Sequence, residues 1–269
     1  KGFRPYSGGN RFIYCKIHAA QSLRSRASDS QEGVNKMNQP KYRRVLLKLS
    51  GEALAPESGG ILDFDFLFRV AGQIRRCVEA GVQVAVIVGA GNIWRGRQGT
   101  GMDHCRADHM GMLATVINSI ALQDVFLRAG MDAVVLSAVE MEAFADAYTA
   151  RDAIRALEEG KVVILGAGLG TPYFSTDTAA VLRAAEIKAD CVLMAKNIDA
   201  IYSADPKCNP DAVRYSEITY RQIMEENLRA LDMTATIFCM DNHIRCYAFG
   251  LADPENIYRV VMGEPVGTA

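Results

Sequence analysis

Three glycine-rich segments follow apolar runs of the sequence, and each could bind a phosphate group. The segments are residues 50–51, 89–91 and 166–170, which follow the runs 45–49, 82–88 and 162–165. Bare backbone lets N–H groups approach phosphate oxygens, and a helix that starts there adds positive potential. One such loop would be an ordinary strand-to-helix turn. Three loops at one sheet edge favour a chain of phosphates or two phosphorylated ligands.

Lys48 is a charged residue that fits this chemistry. It lies within the apolar run 45–49 and shares a face of that strand with Ser50, next to Gly51. A lysine in such a strand is either the partner of a core carboxylate or a phosphate ligand, and the adjacent glycine favours the phosphate ligand. Ser175 and the residues after it can cap an alanine-rich helix.

Other nucleotide and metal motifs are absent from the sequence. The Gly160-Lys161 pair is followed by Val162 and has no Walker glycine, which excludes a P-loop kinase. The three-glycine pattern of dinucleotide-binding folds fails after residues 89–91 and 166–168. A cluster of acidic, histidine and cysteine side chains within 103–109 matches no zinc spacing, so we predict no protein metal site.

Alternating strands and helices must position these loops. Periodicity predicts strands at 45–49, 82–88, 133–136, 162–165, 191–195, 244–248 and 258–262. It predicts helices at 63–80, 108–129, 151–159, 220–228 and 233–242, besides the one after Asp177. The pattern indicates an α/β fold, a three-layer αβα sandwich around a mainly parallel sheet. Ligands bind such sheets at the carboxyl ends of the strands.

Composition and charge limit the functions and locations that the protein can have. The 269 residues are 49% hydrophobic, without a continuous apolar membrane span. Seven cysteines without a CxxC pair favour free thiols and a cytoplasmic location. Residues 1–36 contain seven basic and two acidic side chains, whereas the whole chain has a net charge of −1. The remaining residues are therefore acidic, and an acidic protein surface binds nucleic acids poorly. We expect residues 1–40 to be a disordered extension with Met37 as the native start, and 41–269 to be a single domain.

Five blocks of the sequence, in order, resemble the bacterial-type UMP kinases of the amino-acid-kinase family. The blocks are LLKLSGEAL (46–54), VGAGNIWRG (88–96), ADHMGMLAT (107–115), GLGTPYFSTDTAA (168–180) and IYSADP (201–206). The resemblance extends from about Tyr42 to residue 264. It implies transfer of the γ-phosphoryl group of ATP to UMP in pyrimidine biosynthesis, with Mg²⁺ bound to the ATP.

The resemblance also implies roles for individual residues. It assigns the phosphoryl-transfer centre to Lys48, Asp177 and Arg95. On the ATP side it implies Lys48, Leu49, Ser50, Gly51, Gly91, Arg95, Lys196, Asn197, Tyr202 and Asp205. On the UMP side it implies Ala90, Asp108, Leu169, Gly170, Thr171, Pro172, Tyr173, Phe174, Ser175 and Thr176. It further implies a homohexamer that is activated by GTP and inhibited by UTP, and the apolar helix after Asp63 is a candidate subunit face.

The sequence departs from the family pattern at three places. Ala90 stands where the family has glycine, Thr171 replaces an asparagine, and residues 55–62, in the region of GTP activation, are divergent. Two other functions stay open at this point. One is phosphorylation of a carboxylate or carbamate by another member of the family, and the other is a nucleotide-sensing regulator.

Overall fold

A central sheet of parallel strands runs through the part of the chain that the computed structural model describes, residues 39–56, 58–94, 101–228 and 230–269. The strands are β1 Arg44–Leu49, β2 Gln83–Val88, β3 Ala133–Ser137, β4 Asp146–Ala147, β5 Val162–Gly166, β6 Cys191–Lys196, β7 Ile201–Tyr202, β8 Arg214–Tyr215 and β9 Cys246–Gly250. The sheet order is β4-β3-β5-β2-β1-β6-β9, and β7 and β8 pair separately as an antiparallel hairpin.

Helices cover both faces of this sheet. They are α1 Phe64–Glu79, α2 His104–Arg128, α3 Ala150–Glu158, α4 Thr176–Glu186, α5 Tyr220–Glu225, α6 Met233–Asp241 and α7 Glu255–Val261, and a 3₁₀ turn spans Gly51–Leu54. Alternate residues of β1 point to opposite faces: Leu47 and Leu49 pack with α1, α2 and α7, whereas Leu46 packs with α3, α4 and α6. The predicted three-layer sandwich is therefore confirmed.

Side-chain caps fix where the helices begin. Asp63, Asp103, Ser175 and Asp232 precede α1, α2, α4 and α6, and each accepts a hydrogen bond from a backbone N–H of the first turn. Because Asp103 caps α2, this helix begins at His104 instead of the predicted residue 108. The apolar face of α1 packs against the sheet of its own chain, and the expectation that this helix forms a subunit face stays a prediction.

Three other predictions about the elements need correction. Residues 258–262, predicted as a strand, belong mostly to α7, where Ile257, Val260 and Val261 recur at helical spacing and are buried. The last strand of the sheet is β9, two residues later than predicted. The hairpin β7–β8 lies between the predicted strand at 191–195 and the predicted helix at 220–228, where we predicted no strand.

α2 is, by length and composition alone, apolar enough to cross a membrane. Nearly half of its apolar window is buried, and Leu122, Val125 and Phe126 pack into the core, which makes it a core helix of this fold. Residues 1–38 lie outside the described residues, so the predicted extension and the start at Met37 stay predictions. The single-domain assignment of 41–269 also stays a prediction.

Candidate active site

The glycine loops meet at the carboxyl ends of β1 and β2. A Cβ atom on Gly51 would lie 2.4 Å from the carbonyl oxygen of Gly89 and 2.6 Å from the backbone nitrogen of Gly91. No side chain fits there, because both neighbours are backbone atoms. The first two loops are thus in direct backbone contact, and Ala90 lies between the two glycines of the second loop.

A buried cluster of three charges lies at the same edge. Lys48 of β1 places its Nζ 2.9 Å from Oδ1 of Asp177 in the first turn of α4, and Nζ of Lys196, at the end of β6, lies 4.0 Å from Oδ2. The three side chains are only 12–20% exposed. Lys196 also donates a hydrogen bond to the carbonyl oxygen of Ala230. Lys48 therefore fits both roles that its sequence position allowed, because it contacts a carboxylate and also lies beside the glycine loops.

The charges of this cluster shift the pKa values of its members. Burial by itself would raise the pKa of Asp177, but the positive charges of Lys48 and Lys196 outweigh burial and hold that pKa below its ordinary value. Burial lowers the pKa of Lys196, an effect that Asp177 opposes and Lys48 reinforces. The carboxylate therefore stays ionised between two lysines in a largely dry site.

Buried polar residues of α2 form hydrogen bonds with the second and third loops. Asn118 is fully buried, donates a hydrogen bond to the carbonyl oxygen of Gly89 (2.9 Å) and is paired with the amide of Asn92. Thr115 accepts a hydrogen bond from the backbone N–H of Ala167 at 2.9 Å. Sequence reasoning missed both residues. The signal was present as polar residues at positions 115, 118 and 119 of an otherwise apolar helix.

A cavity of about 220 Å³ lies between α2 and the third loop. Its walls include seven of the ten residues predicted for UMP, together with Gly91, Trp94, Gly111, Met112, Thr115 and Gly168. Those seven are Ala90, Asp108, Leu169, Thr171, Phe174, Ser175 and Thr176. Gly170, Pro172 and Tyr173 belong to the same loop but not to the wall of the cavity. Glycine is required at position 170, where a Cβ atom would lie 2.8 Å from the carbonyl oxygen of Ala138.

Asp232 is a third residue that sequence reasoning missed. It caps α6, and its carboxylate also accepts hydrogen bonds from the hydroxyl groups of Ser175 and Thr178. The start of α4, which carries Asp177, is therefore tied to the start of α6. No sequence motif marked Asp232, because its partners lie more than 50 positions away.

The residues predicted for the adenosine part of ATP have fewer contacts with the charge cluster than the residues predicted for its phosphates. The Tyr202 hydroxyl donates a hydrogen bond to Asp199, and Asp205 accepts one from the backbone N–H of Lys207. Among the described residues, no contact links Asn197, Tyr202 or Asp205 to Lys48 or Asp177. A larger cavity of about 850 Å³ lies along β9, and its lining includes Ala230, whose carbonyl oxygen accepts the hydrogen bond from Lys196. Arg95 lies outside the described residues.

The depressed pKa of Asp177 predicts a defined pH dependence of stability. A carboxyl group with a lowered folded-state pKa stabilises the fold above its unfolded pKa, about 3.9, and loses that contribution as pH falls through the folded pKa. Asp177→Asn should lower the free energy of unfolding by about 1.5–3 kcal/mol near pH 7.

Urea unfolding of wild type and Asp177→Asn from pH 7 to pH 2.5 measures this difference. The gap between the two proteins should begin to narrow near pH 4, where the carboxyl group of the unfolded wild type becomes protonated, and should close as pH falls through the lower folded-state pKa. Asp124→Asn is a matched control, because Asp124 is an exposed carboxylate whose ion pair with Arg128 lies on the surface of α2. A gap that stays constant with pH would contradict the assigned ion cluster.

The chain resembles known proteins over most of its length. Residues 43–249 match the model of the amino acid kinase family. A UMP kinase from Bacillus anthracis is 34% identical with a TM-score of 0.82, and the match covers 84% of this chain and 95% of that one. A UMP kinase from Ureaplasma parvum is 35% identical with a TM-score of 0.80, covering 85% and 99%.

A third structure, a uridylate kinase from Archaeoglobus fulgidus, is 29% identical with a TM-score of 0.64 and covers 83% of this chain and 98% of its own. The family match spans the loops at residues 50–51, 89–91 and 166–170, the cluster around Asp177 and the strands that carry them. The chain belongs to the amino acid kinase family.

Proposed function

We propose that the protein is a UMP kinase that transfers the γ-phosphoryl group of ATP to UMP. One observation carries this proposal: the ion pair of Lys48 and Asp177 lies at the sheet edge where the glycine loops meet, and Thr176, adjacent to Asp177, lines the 220 Å³ cavity. Two phosphorylated ligands need such an arrangement of one basic centre and two adjoining sites. UMP kinases from two bacteria, each about one third identical, support the choice of acceptor.

On the donor side, the proposal assigns the β- and γ-phosphates of ATP to the backbone and to Lys48. Leu49, Ser50, Gly51 and Gly91 are proposed to supply backbone groups where the first two loops meet, and Arg95 is proposed to add a further positive charge. Asn197, Tyr202 and Asp205 are proposed for the base and ribose of ATP, with the Tyr202 ring offering a flat apolar surface. Lys196 lies beside Asp177, so it is proposed for the phosphate end of ATP.

On the acceptor side, the cavity beneath α2 is proposed to hold UMP. Asp108 accepts the ribose hydroxyl groups, and residues 169–176 enclose the nucleotide together with Ala90. The N-terminus of α4 adds backbone N–H groups and positive potential for the α-phosphate. The UMP phosphate oxygen then attacks the γ-phosphorus in line, without a covalent enzyme intermediate.

Lys48 and Asp177 are proposed to act at the transferred group. Phosphoryl transfer spreads negative charge over equatorial oxygens, and a fixed ammonium in a dry site stabilises that charge most strongly in the transition state. The carboxylate of Asp177 holds Lys48 in place through the contact of 2.9 Å. Lys196 adds a second positive charge on the other side of the same carboxylate.

Mg²⁺ is proposed to arrive with ATP. The described residues contain no group of three or more histidine, cysteine, aspartate or glutamate side chains that could hold a metal alone. The ion usually takes one or two carboxylates besides substrate phosphates and water. Asp177 fits this pattern, because its buried Oδ1 has no aligned hydrogen bond although Lys48 lies 2.9 Å away. When bound, Mg²⁺ neutralises charge on the phosphates.

A homo-oligomer, and specifically the homohexamer of the resemblance, is proposed with α2 as a subunit face. Five apolar residues on one side of this helix are 38–56% exposed in the single chain. They are Met110, Leu113, Ile117, Ile120 and Leu127. Two copies of one apolar stripe form a self-complementary interface. Activation by GTP, inhibition by UTP and a cytoplasmic location stay predictions.

Replacement of Lys48 tests the proposed role at the transferred phosphoryl group. Lys48→Met keeps the packing of the side chain, and Lys196 remains beside Asp177, so the fold should be retained. We expect kcat for UMP phosphorylation to fall by about 10²–10³, with smaller changes in both KM values. ADP release with ATP, Mg²⁺ and UMP measures this effect.

Lys161→Met provides the matched control, because Lys161 is an exposed lysine near the start of β5 whose ion pair is with Glu159. Thermal melting must show that both variants are folded. A folded Lys48→Met protein with near-normal kcat would contradict the assignment.

Replacement of Asp108 tests the acceptor side. Asp108→Asn removes the charge but keeps an oxygen that can accept the hydrogen bond from the backbone N–H of Tyr173. We expect the KM for UMP to rise by an amount that corresponds to about 1.5–3 kcal/mol, with little change in the KM for ATP. Initial rates over a grid of both substrates measure the two constants, and equal increases would contradict the assignment to UMP.

A further inference from the structure

The imidazole ring of His104 stacks on the phenol ring of Tyr173. The ring centroids are 4.5 Å apart and the planes differ by 4°. His104 is the first residue of α2, whereas Tyr173 belongs to the acceptor loop 169–176. Neither residue lines the 220 Å³ cavity. The stack therefore joins the acceptor loop to α2 from outside the cavity.

The backbone at Tyr173 requires such an external restraint. Its φ angle is +73°, a conformation that is rare for aromatic residues and costs about 1–3 kcal/mol. The backbone N–H of Tyr173 donates a hydrogen bond to Oδ2 of Asp108 at 2.7 Å. Nδ1 of His104 lies 3.2 Å from the same oxygen. Three groups thus converge where the loop crosses the start of α2.

This convergence also orients the carboxylate of Asp108. Its Oδ2 is engaged by His104 and by the backbone of Tyr173, while no contact within the described ranges involves Oδ1. Asp108 lines the acceptor cavity. A carboxylate oxygen can accept two hydrogen bonds, so Oδ1 is available to a hydroxyl group of a ligand there.

We propose that His104 is a positioning residue for the phosphoryl acceptor. It holds Tyr173 by stacking and Asp108 through Nδ1, and so keeps the acceptor loop closed over the cavity and one oxygen of Asp108 free for the ribose. This inference rests on the proposed function, since the acceptor is taken to be UMP. His104 makes no contact with the acceptor itself and acts through its two neighbours.

Because the side chains of His104 and Tyr173 are exposed, their stacking stabilises the acceptor loop and not the whole fold. The side chain of His104 is 59% exposed and Tyr173 is 70% exposed, so the stack contributes little to global stability. Alanine is also well tolerated at the start of a helix whose cap, Asp103, is retained. His104→Ala should therefore fold normally and change acceptor binding alone.

Steady-state kinetics of three variants test the proposal. His104→Ala should raise the KM for UMP about fivefold to tenfold, with kcat and the KM for ATP within about twofold of wild type. His104→Phe keeps a stacking ring without Nδ1 and should give a smaller increase. His109→Ala is the matched control, because His109 is an exposed histidine of the same helix. An unchanged KM for UMP in His104→Ala, or equal increases for both substrates, overturns the proposal.

Limited proteolysis without nucleotide separates this proposal from the proposed function. Chymotrypsin cleaves after aromatic residues, and both Tyr173 and Phe174 are at least 50% exposed. Cleavage in the loop should be faster in His104→Ala than in wild type and unchanged in His109→Ala. A wild type that does not phosphorylate UMP would refute the function alone, while equal cleavage of His104→Ala and wild type refutes the positioning role.

Discussion

The contact between Lys48 and Asp177 is the interaction on which the arrangement of the site depends. A lysine within a buried strand loses hydration, and only a carboxylate and further polar groups can offset that loss. Asp177 supplies the carboxylate from the first turn of α4, where the helix dipole favours negative charge. The position of α4 over β1 is therefore set by electrostatics as well as by apolar packing. Lys196, 4.0 Å from the same carboxylate, brings β6 into the same arrangement.

α2 provides the second constraint. One side of this helix packs into the core through Leu122 and Phe126, and its buried polar residues bind the backbone of the loops. Asn118 holds the loop after β2, and Thr115 holds the loop after β5. Nearer its start, Asp108 binds the acceptor loop. A single rigid helix thus fixes the separation between the proposed donor and acceptor sites, which an in-line transfer requires.

The sequence predicted the parts of the fold that depend on local patterns. The buried strands, the parallel sheet and the cap at Ser175 follow from periodicity and side-chain chemistry within a few residues. Residues 258–262 were wrongly predicted because a short run containing Val260 and Val261 suits a strand as well as a buried helix. The early start of α2 at His104 depends on the cap by Asp103, which lies in a polar stretch without apolar periodicity.

The site was predictable where neighbouring residues act together and less so where distant residues meet. The glycines marked Lys48 and residues 166–170 as candidate phosphate ligands, whereas the acceptor role of residues 169–176 was implied only by the family resemblance. The roles of Asn118 and Asp232 depend on partners far away in the sequence, which no local pattern reveals. The stack of His104 on Tyr173 is of the same kind, because it requires the unusual backbone of Tyr173 to be known.

The most direct measurement compares different phosphoryl acceptors, using the protein of 269 residues. ADP release is followed with ATP and Mg²⁺ in the presence of UMP, CMP, dUMP, GMP, aspartate or N-acetylglutamate, and the phosphorylated product is identified by mass. We predict that UMP gives UDP and that its kcat/KM exceeds that of every other acceptor by about tenfold or more. Phosphorylation of a carboxylate in preference to UMP, or no ADP release with UMP, would contradict the account.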